Sequence, residues 1–459
     1  MKVTLITLLL AGLLSSCLSD DYAEEKEINP LDQQLFGVLR QASPTRRADY
    51  FMLPASDDFS RIPQDPKNPL TTEKVALGQL LYHETALAVD ALRPEGMLTY
   101  SCASCHHAPA GFQAGTRQAI GDGGLGFGHA GEHRQPNPSY PTDSIDVQPV
   151  RTPSTLNIAY QTNVLWNGQF GATGVNKGTE GQWTANTPLA VNHLGFEGTE
   201  TQAIAGLRVH RLNSDTSLIF GTSYRARYDA AFSHVPVAQR YGRTTTGLAI
   251  AAYERTLLAN QAPFQRYLRG ETEALSDRQK AGALLFFGKA NCVTCHTGPA
   301  LNSMNFYALG MGDLLGDGVH RSDPDDAAHR GRGGFTGRSE DDYTFKVPQL
   351  YNLKDSPFYG HGGTFTSVYD VVTYKNEARP ENANVPTEQL DESFRPLALS
   401  EAEVQQLTDF IEHGLHDPNL ARYVPERLPS GQAFPNNDTL SRRTSSRRAF
   451  HAETNRSGR

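Results

Sequence analysis

Two short stretches of the chain each place two cysteines three residues apart, with a histidine directly after the second. They read SCASCHH, residues 101–107, and NCVTCHT, residues 291–297, about 190 residues further on. At this spacing each thiol can bond to one vinyl group of a porphyrin while the imidazole binds the iron. The sequence therefore predicts two covalently attached c-type haems. The residues that carry this chemistry are Cys102, Cys105, His106, Cys292, Cys295 and His296.

Other uses of paired cysteines fit this pattern less well. A redox-active C-x-x-C pair needs no histidine after it. Zinc-binding cysteine pairs usually lie about 15–20 residues apart, whereas these two pairs are separated by about 190 residues. Disulfides that stabilise exported proteins join distant loops rather than near neighbours. Haem attachment is the interpretation that accounts for the whole of both motifs.

Each motif follows a stretch with helical character. VALGQLLYHE, residues 75–84, precedes the first motif, and KAGALLFFGKA, residues 280–290, precedes the second. Thr72 and Ser276 are residue types that cap helix N-termini. The internal similarity predicts two cytochrome c-like units, each of which packs helices on one haem.

Two more helices are predicted from apolar periodicity, at residues 244–258 and 399–414. The second begins with a capping box formed by Ser400 and Glu403. Because long irregular stretches separate the helical ones, the predicted fold class is mostly α, with two cytochrome c-like haem domains and long irregular loops.

A glycine-rich run, GDGGLG at residues 121–126, matches the G-x-G-x-x-G pattern of dinucleotide-binding proteins. It follows no predicted strand and opens no predicted helix, so no nucleotide site is assigned there. The formal net charge of −8 makes a nucleic-acid partner unexpected.

The N-terminus reads MKVTLITLLLAGLLSSC and resembles an export signal. Lys2 precedes an apolar run that is too short to cross a bilayer and ends in small residues. The stretch 14–17 resembles a bacterial lipoprotein box, in which Cys17 would be lipidated after cleavage. An ordinary signal peptide with a chance cysteine is the alternative. The predicted location is the periplasm, on a membrane anchor through Cys17.

Several phrases of the chain, taken in order, resemble the bacterial di-haem cytochrome c peroxidase family, which includes the MauG-like enzymes. The resemblance covers residues 45–435. Its phrases are ALGQLLYHE, SCASCH, VRTPSTLN, LWNGQF, AAYERTLL, GALLFFGKANCVTCHTGP, DDYTFKVPQLYNLKDSPFYGHGG and YVPERLPSGQAF. The resemblance implies reduction of hydrogen peroxide to water with electrons from a small redox protein, a cytochrome c or a cupredoxin. The alternatives are a MauG-like enzyme that oxidises residues of a partner protein, and a non-enzymatic di-haem electron carrier.

The N-terminal pattern, the resemblance and the local composition together divide the chain into segments. Residues 1–16 would be the signal peptide and 17–45 a lipid-anchored tether. Residues 46–235 would form the N-terminal, peroxidatic haem domain, and 236–435 the C-terminal, electron-transfer haem domain. Residues 436–459 hold six arginines among serines and threonines, and we predict a disordered tail there.

Roles in the reaction follow from the same resemblance. His106 would be the proximal ligand of the peroxidatic haem and His296 that of the electron-transfer haem. Trp166, in LWNGQF, would lie between the two haems and couple them.

The family's distal pocket contains a glutamine, a proline and a glutamate, which Gln182, Pro188 and Glu197 would supply here. Glu197 would transfer protons between the two oxygens of peroxide. Glu200 and Glu180 are the alternatives to it. Gln182, Glu197 and Trp166 are thus the candidate catalytic residues.

The distal ligand of the second haem would follow the HGG turn, within GHGGTFTSVYDVVTYKN. Tyr374 is the first choice because it matches the family's tyrosine, Met311 is the second and Lys375 the third. One calcium ion between the domains is a further candidate cofactor, although Arg151 replaces one of its family ligands. A homodimer is common in the family and is a candidate assembly.

Overall fold

The computed structural model describes residues 29–442. Helices dominate this part of the chain, as the sequence predicts, and the strands are two-residue antiparallel pairs, β1 with β2 and β3 with β4. The α-helices are α1 Pro30–Ala42, α2 Thr72–His83, α3 Gly198–Val209, α4 Thr216–Gly221, α5 Tyr224–Ala231, α6 Val237–Arg240, α7 Arg243–Arg255, α8 Pro263–Leu268, α9 Asp277–Phe287, α10 Gly331–Thr336, α11 Val368–Glu377 and α12 Glu401–Asp409. The strands are β1 Gly124–Leu125, β2 Gln135–Pro136, β3 Phe306–Tyr307 and β4 Phe345–Lys346.

The four helices predicted from sequence are present as α2, α7, α9 and α12. The side chain of Ser276 caps α9, as predicted, while α2 is capped by Thr71, one residue before the predicted Thr72. Ser400 and Glu403 form the predicted capping box of α12. The chain then continues as a π-helix, Phe410–Gly414. The glycine-rich run 121–126 contains β1 and opens no helix.

Two helix pairs make the same kind of close contact at a glycine, one pair near each motif. α2 packs against α7, and α9 packs against α12. A Cβ atom added to Gly78 of α2 would lie 1.8 Å from the carbonyl oxygen of Ala249, and one added to Gly282 of α9 would lie 2.1 Å from that of Gln406. Each glycine stands two residues before a Leu-Leu pair. Because only glycine permits so close an approach, the sequence similarity between the two stretches corresponds to the same backbone contact.

The buried apolar residues near both motifs belong to one continuous core, which includes Leu77 and Leu81 of α2 and Phe286 of α9. The division into domains at residue 235 therefore stays a prediction. No helix within residues 29–442 is both long and apolar enough to cross a bilayer. The predicted signal peptide and Cys17 lie outside the described residues.

Both ends of the described chain pack more closely than the predicted boundaries imply. α1 falls within the predicted tether, yet its Leu35 and Leu39 are fully buried. Its Asp32 forms a buried ion pair of 2.9 Å with Lys280 of α9. At the other end, Asn436 and Asp438 are buried, so the predicted tail is packed over residues 436–442. Tertiary contacts fix both segments, and local composition does not report such contacts.

Candidate haem-binding site

One cavity of about 740 Å³ extends from the first motif to the second. The thiols and imidazoles of both motifs line it. The four cysteines within residues 29–442 are free, so no disulfide occupies either motif there. Apolar side chains form most of the remaining wall. This donor set fits two haems held by thioether bonds and histidine ligands.

In the first motif the chain makes a tight turn, in which the backbone N–H of His106 donates to the carbonyl of Cys102 at 3.0 Å. The imidazole Nδ1 lies 3.4 Å from the carbonyl oxygen of Phe112, and Tyr82 donates to the carbonyl of His106 at 2.8 Å. A proton on Nδ1 leaves Nε2 with its lone pair available to a metal. Burial lowers the pKa of His106 to about 4, which keeps the imidazole neutral at pH 7.

The second motif repeats this arrangement. The N–H of His296 donates to the carbonyl of Cys292 at 2.9 Å. Its Nδ1 lies 3.2 Å from the carbonyl oxygen of Leu301 and 3.1 Å from that of Pro348. Burial lowers the pKa of His296 to about 4. Burial also raises the pKa of the Cys292 thiol to about 12, which is unlike the low thiol pKa of a redox-active pair.

Trp166 lines the same cavity, where two backbone segments meet. The indole N–H of Trp166 donates to the carbonyl of Arg151 at 2.7 Å. The backbone N–H of Lys346 donates to the backbone carbonyl of Trp166, also at 2.7 Å. Lys346 lies two residues before Pro348, whose carbonyl contacts His296. The residue before the tryptophan, Leu165, has a left-handed backbone with φ 72°. Such strain at a non-glycine residue is typical of functional sites.

Two of the predicted catalytic residues are not among those that line the cavity. Gln182 is exposed, and its amide donates to the carbonyl of Thr336 at 3.1 Å. Glu197 accepts a hydrogen bond of 2.9 Å from Arg255. Burial raises the pKa of Glu197, and the positive charge of Arg255 opposes that rise. The structure thus does not bring Gln182 and Glu197 to the cavity wall.

The remaining predicted distal residues lie in three different surroundings. Pro188 lines the cavity. Glu200 is fully buried and accepts 2.6 Å and 2.8 Å hydrogen bonds from Arg255. Glu180 is exposed.

A buried carboxylate that was not singled out from the sequence also lines the cavity. Glu254, near the end of α7, is 4% exposed, and its Oε2 atom has no hydrogen-bond partner within residues 29–442. Burial raises the pKa of Glu254 to about 8, so the side chain carries a proton at pH 7. The signal in the sequence was a carboxylate directly after the apolar stretch AIAAY.

Two further polar side chains near the first motif were not singled out from the sequence. Gln202 of α3 and His210 both line the cavity. The Nδ1 atom of His210 lies 2.9 Å from a carboxylate oxygen of Asp146, and this partner raises the pKa of His210 against the opposing effect of burial.

The three candidates for the distal ligand of the second haem lie in different surroundings. Met311 and Lys375 line the cavity, and Tyr374 does not. The hydroxyl of Tyr374 donates to the carbonyl of Leu309, and its ring packs against Phe365 at 4.9 Å. The preference for Tyr374 over Lys375 therefore disagrees with this placement. Adjacent residues of one helix point in different directions, and Tyr374 is preferred for its residue type although counting from His361 along the motif leads to Lys375.

Arg151 occupies the position at which a calcium ligand was considered. Its side chain is 1% exposed. The guanidinium donates to the carbonyls of Thr116 and Ala114 at 2.6 Å and 2.8 Å, and to the hydroxyl of Ser356 at 2.9 Å. Between residues 29 and 442 no group of three or more His, Cys, Asp or Glu side chains is arranged to hold a metal ion.

The fold and the two motifs together define a c-type haem protein with two attachment sites. Residues 72–273 match the profile of the di-haem cytochrome c peroxidase family. The chain is 30% identical over 373 residues to the cytochrome-c peroxidase IdrP1 of Pseudomonas sp. (strain SCT), covering 76% of this chain and 83% of that protein. It is 28% identical over 357 residues to the methylamine utilization protein MauG of Methylorubrum extorquens, covering 76% and 80%. This chain belongs to the di-haem cytochrome c peroxidase family of oxidoreductases.

A solved structure has a similar fold. It is a MauG-like protein associated with microbial copper homeostasis, matched with a TM-score of 0.54 at 21% identity over 80% of this chain and 95% of that one.

Proposed function

We propose that this protein reduces hydrogen peroxide to water with electrons delivered by a small redox protein, a cytochrome c or a cupredoxin. The observation that carries the proposal is that both haem-attachment motifs open onto one cavity, with Trp166 in its wall. An enzyme that uses one iron for peroxide and another to receive electrons needs such a connected pair. The assignment of the peroxide reaction to the first motif is supported by the family resemblance and by the polar groups near that motif.

The residues that would hold the two haems are the four cysteines and two histidines of the motifs. When bound, the haems supply an iron site for peroxide and one-electron storage. His106 and His296 are ready to act as ligands because each is neutral at pH 7 and directs Nδ1 to backbone carbonyls. This second contact fixes the orientation of the ring.

Reduction of one peroxide molecule to two waters consumes two protons and two electrons. We propose Glu254 as a residue that holds a proton at the cavity, since it is protonated at neutral pH and its Oε2 has no protein partner. Glu197, supported by the family pattern, is the rival candidate. Arg255 binds its carboxylate, so Glu197 would have to leave that ion pair to reach a substrate.

Trp166 would couple the two halves of the cavity. Its contacts run through Arg151 on one side and Lys346 on the other, and its ring lies edge-on to His361 at 6.3 Å between centroids. A large π-system at this position shortens the distance that an electron must cross.

A MauG-like oxidation of a partner protein is the second candidate, favoured by the 28% identity to MauG. Such an enzyme would withdraw electrons from residues of the partner and consume reduced cytochrome or cupredoxin poorly. A di-haem carrier is the third candidate, and its two irons would both be six-coordinate and unresponsive to peroxide.

The remaining assignments are also proposals. A periplasmic location and attachment to the membrane through a lipidated Cys17 are supported by the N-terminal sequence pattern. A boundary between haem domains near residue 235 and a homodimer are supported by the family resemblance. A calcium ion between the halves competes with Arg151, whose guanidinium already provides positive charge to oxygen atoms of Thr116, Ala114 and Ser356. Treatment of the holoprotein with a calcium chelator tests this point, and an unchanged haem spectrum would count against a resident ion.

The deciding experiment uses the protein produced in a host that matures c-type cytochromes. Two haems per chain should be found by haemochrome assay. Peroxide consumption is then followed with a reduced small cytochrome c, a reduced cupredoxin, or neither. Donor-dependent turnover supports the peroxidase. Peroxide-dependent oxidation of a partner protein without donor turnover would support the MauG-like alternative, and no reaction would support the carrier.

A further inference from the structure

One face of α11 lines the second half of the cavity. The residues on this face are Val368, Val371, Val372 and Lys375. Their spacing of i, i+3, i+4 and i+7 places them in a row along one side of the helix. Three of the side chains are apolar and the fourth ends in a primary amine. Lys375 is thus the one nitrogen donor that this helix face presents to the second haem site.

The Nζ atom of Lys375 forms no hydrogen bond or ion pair within residues 29–442. Its neighbours are aromatic rings, those of Tyr374 and Phe394, at 5.9 Å and 5.8 Å from their centroids. Burial lowers the pKa of Lys375 to about 8. An ammonium group without an acidic partner is costly in such surroundings. The neutral amine, by contrast, has a lone pair that can bind a metal.

Lys375 shares its compartment with the second motif. It lies near enough to His296 to lower the pKa of that imidazole, and near enough to the thiol of Cys292 to lower its pKa against the larger effect of burial. His296 holds Nδ1 against backbone carbonyls, so its Nε2 is free for one axial position of an iron. The resemblance implies a second protein ligand for this haem, and that donor would come from another part of the wall.

Two other side chains could be considered for that position. The hydroxyl of Tyr374 is bound to the carbonyl of Leu309, and its side chain does not line the cavity. Met311 lines the cavity with its sulfur beside Gly360, 3.4 Å from where a Cβ of that residue would be, and is the rival ligand that the test below includes. A salt bridge from Lys375 to a haem propionate is the remaining alternative. The thioether bonds, however, place the vinyl edge of the porphyrin at the cysteines, and the propionates lie away from that edge.

We propose that the Nζ amine of Lys375 is the axial ligand opposite His296 on the iron held at the second motif. The amine loses its proton to solvent and donates its lone pair to the iron, and the oxidation state of the metal does not change. The inference rests on the proposed function only in requiring a haem at the second motif. It does not require that the protein reduce peroxide.

The test compares variants of the holoprotein, each checked for two haems per chain by haemochrome assay. The variants are Lys375→Ala, Lys375→Arg, Lys375→Met, Tyr374→Phe and Met311→Leu. Electron paramagnetic resonance and absorption spectra of the ferric protein report the spin state of each haem. Potentiometric titration reports the reduction potential of the second haem. None of these measurements depends on activity.

We expect the low-spin signal of the second haem to be lost in Lys375→Ala and in Lys375→Arg, because arginine keeps the charge but does not bind iron. Added methylamine should restore a low-spin signal in the alanine variant. Lys375→Met should stay low-spin with a changed signature and a higher reduction potential, since methionine ligation raises it. Tyr374→Phe and Met311→Leu should retain the wild-type signal.

A low-spin signal that survives in Lys375→Ala would overturn the proposal. Survival in Lys375→Arg alone would show a propionate salt bridge instead, and loss in Met311→Leu alone would identify Met311 as the ligand. If the alanine variant turns high-spin in a protein that consumes no peroxide, the ligand assignment stands and the peroxidase proposal fails.

Discussion

The two halves of the cavity have similar attachment motifs and different walls. In both, a tight C-x-x-C-H turn follows a helix, and the histidine Nδ1 contacts backbone carbonyl oxygen. Near the first motif the wall contains Glu254 and His210, which can hold or exchange protons, and Gln202, whose amide can donate and accept hydrogen bonds. Near the second, α11 supplies valines and a single amine, Lys375.

This difference indicates that the attachment motif does not set the reaction of each haem. A reacting iron needs an open position and groups that move protons, whereas an iron that only exchanges electrons is served by two fixed ligands and an apolar wall. The acid and base groups of the first half fit the former role, and the valines and amine that α11 contributes to the second half fit the latter. This comparison would be contradicted if the haem at the second motif reacted with peroxide and the haem at the first only exchanged electrons.

Removal of each histidine should have the largest effect and should separate the roles. In His106→Ala we expect peroxide turnover to fall to background, because the iron that meets peroxide loses its protein ligand. In His296→Ala the first haem should still react with one peroxide in a rapid-mixing experiment, while steady-state turnover with a donor protein is lost. A protein in which His296→Ala, rather than His106→Ala, abolishes the first reaction would reverse the assignment.

Replacement of carboxylates tests the wall of the first half. Glu254→Gln should lower kcat/KM for peroxide by about 100-fold, the lower range for loss of a general acid or base. The matched control is Glu197→Gln, which removes the negative charge paired with Arg255 and should cost about 2 kcal/mol of unfolding free energy with a smaller effect on turnover. The opposite order of the two kinetic effects would favour the family-based choice of Glu197.

Glu254→Gln should also change how the unfolding free energy depends on pH. Burial raises the pKa of Glu254 to about 8, so between the ordinary carboxyl pKa and pH 8 the folded state holds a proton that the unfolded state has released. Unfolding free energy should therefore fall as pH rises through this window. Glu254→Gln should flatten that fall, as measured by urea unfolding at pH 5 and pH 8. An unchanged slope would show that Glu254 does not titrate in this range.

Much of this arrangement follows from local sequence. The motifs identify the haem-binding residues, and the glycine two residues before a Leu-Leu pair marks the tight helix contacts at Gly78 and Gly282. A cap such as Ser400 with Glu403 is also local, since its partners are three residues apart.

The walls of the cavity could not be derived in the same way. Glu197 is bound by Arg255, 58 residues away, and the sequence near Glu197 does not predict that partner. The difference between Tyr374 and Lys375 depends on the rotation of α11, which its packing fixes. The hydrophobic spacing from Val368 to Lys375 does contain this information, because it defines the face that the helix turns to the cavity.

Communication between the halves is tested at Trp166. Trp166→Phe keeps a ring but removes the indole N–H that donates to Arg151 at 2.7 Å. Electron transfer between the haems should slow by about tenfold, or about 1.4 kcal/mol in activation free energy. Rapid reduction of the second haem followed by absorption of the first measures this step. Trp183→Phe is the control, since Trp183 donates to Thr179 and does not line the cavity. Equal effects of the two substitutions would remove Trp166 from the path.

The smallest expected effect comes from removing helix caps, and it tests whether the regions around the two motifs unfold independently. Ser400→Ala removes the cap of α12 beside the second motif, and Thr71→Ala removes that of α2 beside the first. Each should lower unfolding free energy by about 1 kcal/mol. Urea unfolding followed through the spectrum of each haem measures which haem's unfolding transition is shifted. If the sides unfold separately, each substitution should move only the transition of its own haem. A common shift of both transitions would follow from the continuous apolar core and would contradict independent domains divided near residue 235.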